Sequence, residues 1–281
     1  MTEVAQDQTP VALVTGGGAG IGAAVSTRLA KSGHRVVVVD IDPDAAQRTA
    51  EEVSGVAFAA DVADPAQHPA MVAFAVEQYG RLDVAVLNAG VPSGQEPDAP
   101  LDVDRYRRTI GVNLNSVVYG IDAVTPALAE HGGAIVVTAS LAGLDPTQAN
   151  PIYAMTKSAV IGYVRAMSVP LAKHGITINA ICPGFVDTKM LGIAVRLLRR
   201  QGFPLLSTDE VADAVLAVLA GPGSGQAWPL LPGRTPEPFG FPPVPTALLP
   251  DGSEARLRTF LKPRPKAPNS DADNGQGTTS T

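Results

Sequence analysis

The chain has a single cysteine, Cys182, in 281 residues, which excludes a disulfide framework and any thiolate metal cluster. Cys182 precedes Pro183 among apolar neighbours and reads as a buried structural thiol. Histidine is scarce too. His34, His68, His131 and His174 are scattered without ligand spacing, so no metal site is expected. No apolar run reaches the ~18 residues of a membrane span. Residues 1–9 have neither a basic nor an apolar leader segment, so no secretory signal is expected. Basic charge is outnumbered: 21 Lys and Arg stand against 27 Asp and Glu, for a net charge of -6. Phosphates would be repelled, which argues against a nucleic-acid partner. Together these absences read as a cytoplasmic, reducing setting.

What is present is a large apolar fraction, 45%, with only 17% charged residues, enough for one substantial α/β core. Short β-branched runs at 11–15, 36–40, 56–60, 84–88, 134–140 and 176–181 read as strands, with 226–231 as a last one. They are apolar nearly throughout, as strands covered on both faces should be. Stretches of helical period fill the gaps at 21–31, 43–53, 67–79, 103–130 and 151–174, then 191–200 and 208–220. Ser207 and Glu210 have capping-box spacing at the start of the last. The alternation predicts an α/β, doubly wound Rossmann fold, with a parallel sheet of about seven strands and helices on both faces. Residues 10–235 would form this domain after a flexible 1–9, followed by a Pro-rich extension at 236–261 and a disordered tail at 262–281.

Ligands on such sheets bind beyond the carboxyl ends of the strands. Gly16, Gly18, Gly20, Ile21 and Gly22 follow the first strand and open a helix, the context of a dinucleotide loop. Glycines let the backbone approach a pyrophosphate, and the helix N-terminus offers unpaired N–H groups. Asp40 ends the second strand, eighteen residues after Gly22, where a carboxylate would accept from both ribose hydroxyls and repel a 2′-phosphate. Ile41 and Asp42 follow, with no base nearby, so NAD is favoured over NADP. Asp40 as a helix cap is the rival reading, for which Asp42 is better placed. Asp61 and Val62, just past the third strand, suit an adenine edge, or a cap. Asn88-Ala89-Gly90 lets the backbone pass close to a cofactor, or simply turns.

Tyr153 and Lys157 are spaced i, i+4, and so share one helix face. An ammonium there is expected to lower a phenol pKa from about 10 and make a proton-transfer group usable near neutral pH. Ser140, at the end of an apolar run upstream, completes the pattern.

In this order the motifs resemble those of the short-chain dehydrogenase/reductase family, over about residues 10–231: Thr15-Gly-Gly-Gly-Ala-Gly-Ile-Gly22, Asp61, Asn88-Ala-Gly90, Asn113, Ser140, Tyr153-x-x-x-Lys157 and Pro183-Gly184. The resemblance implies that Tyr153 is the general acid/base and that Lys157 binds the nicotinamide ribose while lowering the tyrosine pKa. It implies that Ser140 holds the substrate oxygen and that Asn113 bends a helix and holds a relay water, with Asn115 the alternative. It places the Val186 backbone and the Thr188 hydroxyl near the nicotinamide carboxamide, Thr188 also being a helix-cap candidate.

The implied activity is hydride transfer between NAD and a secondary alcohol or ketone. Walls at 91–95, 141–148 and 185–203 are largely apolar, which favours a lipid- or steroid-like substrate; Ser140, Ala142, Gln148, Tyr153 and Phe185 are the candidate contacts. Arg196, Arg199 and Arg200 either steer an anion or form a solvated helix face. The usual Asp-Gly-Gly ending is replaced by Gln226-Ala-Trp-Pro-Leu-Leu-Pro-Gly233, so a homodimer competes with the family homotetramer. Pro229 and Pro232 imply a short or edge strand. An NADP-dependent ketoreductase and a catalytically idle NAD-binding scaffold are the remaining alternatives.

Overall fold

Each valine-rich run becomes a strand covered on both faces. The computed structural model describes residues 8–146, 149–192 and 194–255. Its main sheet holds β1 (Val11–Thr15), β2 (Arg35–Asp40), β3 (Val56–Ala59), β4 (Val84–Leu87), β5 (Gly133–Thr138), β6 (Ile176–Pro183) and β7 (Ala227–Leu230). All pairings are parallel, in the order β3-β2-β1-β4-β5-β6-β7. The chain runs outward from β1 to β3, then returns to lay β4 on the other side of β1. That reversal opens a crevice at the carboxyl ends of β1 and β4. The doubly wound sheet of seven strands is as expected.

The helices are α1 (Gly20–Lys31), α2 (Pro43–Glu52), α3 (Gln67–Tyr79), α4 (Val103–Ile110), α5 (Ser116–Ala129), α6 (Pro151–Ala172), α7 (Ala194–Arg200) and α8 (Thr208–Ala220). On one face α1 packs between α2 and α8, while on the other α3 packs on α5 and α6 on α4. Val11 to Val14 and Val36 to Val39 are fully buried between these layers, which is why β1 and β2 carry no polar alternation. Asp42 caps α2 by accepting from Ala45 N at 3.0 Å, and the Ser207–Glu210 capping box closes the start of α8. Arg28 on α1 pairs with Asp213 on α8 at 2.7 Å, fastening two helices whose apolar faces already meet.

The stretch 103–130 is not one regular helix. Residues Gly111–Asn115 form a π turn between α4 and α5, and the extra residue aims the buried Asn113 sideways. The segment read as a helix at 191–200 is a 3-10 turn, Lys189–Leu191, followed by α7. β7 is four residues long at the sheet edge, as its prolines demand. Its Ala227 carbonyl accepts from Phe239 N at 2.7 Å.

Contacts divide the chain into two units at Phe239 and Gly240. The second contains a short antiparallel pair, β8 (Ala247–Leu248) with β9 (Glu254–Ala255), turned around Asp251 and Gly252. The tail at 262–281 and most of the N-terminal stretch lie outside the described residues. Among the described residues no helix is long and apolar enough to cross a membrane.

Candidate active site

The crevice is built first from backbone. At the end of β1, Thr15 Oγ1 accepts from Asn88 N at 2.9 Å and from Ala89 N at 3.2 Å. The Asn88 carboxamide donates to Thr15 O at 3.1 Å and Gly16 O at 3.3 Å, and accepts from Thr138 Oγ1 at 3.0 Å. One side chain thus pins the ends of β1, β4 and β5. The chain then turns so tightly that a Cβ added to Gly22 would lie 2.0 Å from Gly16 O. Only hydrogen fits there, so α1 starts directly over the loop. Its N-cap, Ala19, supplies no side-chain acceptor, which leaves the positive end of α1 open toward the crevice. Ile21, in the first turn, is half-buried against the core.

Asp40 closes the far side of the loop. Its Oδ2 accepts from Gly18 N at 2.9 Å and its Oδ1 from Asp42 N at 3.1 Å. A Cβ at Gly18 would meet that carboxylate at 2.9 Å, so the absent side chain is what lets the two approach. Asp40 is therefore the loop's neighbour and Asp42 the helix cap. Ile41, next along, is 69% exposed, a large apolar side chain left on the rim. Asp61 is exposed and turns the chain by accepting from Ala63 N at 2.9 Å; it does not cap α3, whose N-cap position is Ala66. Val62 is buried, and its carbonyl is bound by the buried His68 Nε2 at 2.8 Å. Burial holds the His68 imidazole pKa below its ordinary value, against its bond to that carbonyl.

The polar centre lies across the crevice. The Asn113 carboxamide grips Val91 twice, accepting from its N–H at 2.8 Å and donating to its carbonyl at 2.9 Å. Of the two asparagines it is Asn113 that is fully buried. A Cβ at Gly90 would be 3.6 Å from both Asn113 Oδ1 and Lys157 Nζ, so the two groups meet over the glycine's bare face. Lys157 is 3% exposed and donates to Thr138 O at 2.7 Å. Burial without a carboxylate partner lowers its ammonium pKa to about 8. Cys182 lies beneath, fully buried, and burial pushes its thiol up to about 12 despite bonds from Ser140 and Trp228 N–H groups. It is the structural thiol expected.

Tyr153 and Ser140 are hydrogen-bonded, and Ser140 Oγ also accepts from Ala142 N at 3.2 Å. The i, i+4 spacing led us to expect a phenol below 10. In the structure, burial pushes Tyr153 above that value, and only the Ser140 bond pulls it down. Lys157 Nζ lies over the Tyr153 ring, 5.7 Å from its centroid, and is held there by Thr138. Desolvation therefore outweighs the expected help from the ammonium.

Past Pro183, Gly184 N donates to Leu230 O at 3.0 Å, and the chain bends toward the loop. Leu206 is bound by Phe185 O and Asp187 N, at 2.9 and 2.8 Å. In an extended segment that leaves the intervening Val186 N–H and carbonyl on the opposite edge. Thr188 sits 3.5 Å from the Cβ position of Gly20, beside the glycine loop, and its side chain makes no cap bond. Phe185 is 46% exposed and meets Phe203 edge-on at 5.5 Å, so both line the open end. Arg199 is taken up by an ion pair with Asp187. Gln148 lies outside the described residues.

Two positions without a role in the sequence reading take part. Thr138 supplies the carbonyl that fixes Lys157 and the hydroxyl that fixes Asn88. Asn150 caps α6 by accepting from Tyr153 N at 3.3 Å. Only the Asn-Pro start of that helix could have flagged Asn150.

Compared with known proteins, residues 10–195 match the family model described as short chain dehydrogenase. The chain is 37% identical over 227 residues to a cyclohexanol dehydrogenase of Acinetobacter sp. (strain SE19), covering 76% of this chain and 89% of that protein. Among solved structures, a 3-ketoacyl-(acyl-carrier-protein) reductase from Brucella melitensis complexed with NADH superposes with a TM-score of 0.75. It is 30% identical, and the match covers 80% of this chain and 98% of that one. A 7α-hydroxysteroid dehydrogenase complexed with NADH and 7-oxo glycochenodeoxycholic acid superposes with a TM-score of 0.71 at 30% identity, covering 81% and 94%.

Proposed function

The chain belongs to the short-chain dehydrogenase family, and from that premise we propose that it is an NAD-dependent dehydrogenase of a secondary hydroxyl on a hydrophobic substrate. The observation that carries this reading is the run of contacts from Ser140 to Tyr153, from Tyr153 to Lys157, and from Lys157 past Gly90 to Asn113, in a chain whose glycine loop is closed by Asp40.

The residues present fit a dinucleotide. The open N-terminus of α1, entered by a loop in which Gly16 and Gly22 approach too closely for a side chain, suits a pyrophosphate. The Asp40 carboxylate keeps lone pairs for ribose hydroxyls after binding Gly18 and Asp42, and a 2′-phosphate would meet its charge. The exposed Ile41 offers a flat apolar partner for adenine, and Asp61 with Val62 its edge. Lys157 would hold the nicotinamide ribose, with Val186 and Thr188 toward the carboxamide. A nicotinamide held there would supply the acceptor for hydride from the carbinol carbon. The rest falls to this chain's own side chains. Ser140 would donate to the substrate oxygen, and Tyr153 Oη, held as the phenol by burial, would take the hydroxyl proton while giving up its own toward Lys157 as the ketone forms. Lys157, with its lowered pKa, is poised to pass that proton on toward Asn113. Ala142 and the pair Phe185–Phe203 present an apolar reception to the substrate body. The two NADH-bound neighbours and the cyclohexanol dehydrogenase agree with this cofactor and substrate class.

The test is NADH formation at 340 nm with NAD or NADP and a panel of cyclic and steroid secondary alcohols. Turnover with NAD, abolished in Tyr153→Phe while NAD still binds by calorimetry, is the expected result. Turnover with NADP alone would refute the Asp40 argument. Equal activity in Tyr153→Phe would refute the assignment of the acid/base.

A further inference from the structure

Ser93 is 4% exposed although it sits in the loop that follows β4, among residues that are otherwise half-buried or exposed. Its hydroxyl donates to Asn150 Oδ1 across 57 residues of sequence and accepts from Gln95 N at 3.3 Å. Asn150 Oδ1 is the same atom that caps α6 by accepting from Tyr153 N. One oxygen therefore joins the wall loop to the first turn of the helix that carries both Tyr153 and Lys157.

The loop is itself anchored from two further directions. Asn113 holds Val91 at its base, and Arg105 Nη1 donates to Gly94 O at 2.6 Å. The contacts thus run without a break from Asn113 through residues 91–93 to Asn150 and the Tyr153 backbone. A helix start has no internal acceptor for its first N–H groups, so the cap decides how firmly the first turn is wound. An unbuttressed asparagine would cap α6 with several rotamers; the buried Ser93 hydroxyl selects one.

We propose that Ser93, acting through Asn150, is a positioning residue that sets the Tyr153 hydroxyl against Ser140 and moves the substrate wall and the acid/base as one body. The inference rests on Tyr153 being the proton-transfer group. Its chemistry asks for a hydroxyl at 93 and a carboxamide at 150. Lys157, over the Tyr153 ring, is the charged group facing this turn from within α6; Ser140, from the end of β5, is the polar one.

The test is a comparison of wild type, Ser93→Ala, Ser93→Thr and Tyr153→Phe. Tyrosine ring carbons are labelled with 13C and titrated by NMR, the Tyr153 signal being assigned by its loss in Tyr153→Phe. In Ser93→Ala the first turn loosens and admits water, so Tyr153 titrates nearer an ordinary phenol, about 10. Its kcat/KM for the alcohol falls roughly ten- to hundredfold, with the KM for NAD unchanged, because reach and alignment are lost and cofactor contacts are not. Ser93→Thr, which keeps the hydroxyl, restores both. The proposal is overturned if Ser93→Ala titrates and turns over like wild type. It is equally overturned if NAD affinity falls with turnover and Thr gives no rescue, which is the mark of general unfolding. The titration needs no substrate: a moved Tyr153 signal in a protein inactive on every alcohol would sink the dehydrogenase reading and leave only the coupling of Ser93 to Tyr153 through Asn150.

Discussion

Replacing Lys157 with methionine should abolish activity without weakening the fold, and the structure says by how much. The side chain is 3% exposed and its ammonium titrates at about 8 against an ordinary 10.5. That gap, at about 1.4 kcal/mol per pH unit, is about 3 kcal/mol spent on burying the charge. The sign follows from proton counts. Between pH 8 and 10.5 the unfolded lysine keeps its proton and the folded one has lost it, so stability rises with pH across that window. Below pH 8 the cost is present in full. Methionine removes it but leaves Thr138 O, which Lys157 binds at 2.7 Å, without its donor, at about 1–3 kcal/mol. At pH 7 Lys157→Met should thus be between equal and about 2 kcal/mol more stable than wild type. Urea unfolding at 25 °C and several pH values between 7 and 10 measures this directly. The difference between the two proteins should drift in favour of wild type by up to about 3 kcal/mol as the pH climbs. A difference that stays constant with pH, or a variant weaker by more than about 2 kcal/mol at pH 7, would refute the buried-ammonium argument.

Two further substitutions probe the frame. Gly22→Ala places a methyl 2.0 Å from Gly16 O, so the loop must shift; a loss of about 1–3 kcal/mol by urea unfolding, with NAD binding lost by calorimetry, is expected. Asp83 accepts from Val11 N at 2.8 Å and from Nε and Nη2 of Arg81. Burial raises its pKa, but those bonds outweigh burial and hold it below the ordinary value, so its contribution is present at neutral pH and lost on acidification below about 4. Asp83→Asn should cost about 1–2 kcal/mol at pH 7 and flatten the acid limb of the stability curve.

The parts legible beforehand were those written in local pattern. Valine runs at β1 and β2 could only be strands covered on both faces, and Pro43 after Asp42 or Glu210 after Ser207 could only open a helix. Gly22 was legible for the same reason, since a loop that reverses over its own carbonyl admits one residue type. The π turn at 111–115 was not. Nothing in the 3.6-residue period announces an added residue; it exists because Asn113 can reach both polar groups of Val91, twenty-two positions away. The direction of the Tyr153 pKa was misread on similar grounds. Spacing says that two side chains share a helix face, but desolvation depends on what other elements lay over them.

By itself, then, the sequence determined the order of strands and helices, the glycine loop, the carboxylate at 40 and the residue types available for proton transfer, because each depends on neighbours within a turn or two. The tertiary structure alone decided that Asn88 would tie three strand ends, that Thr138 would hold Lys157 over a ring, and that Ser93 would reach the cap of α6. Those bonds span 19 to 73 residues of chain. Their partners are set by which strands come to lie side by side, which no local period encodes.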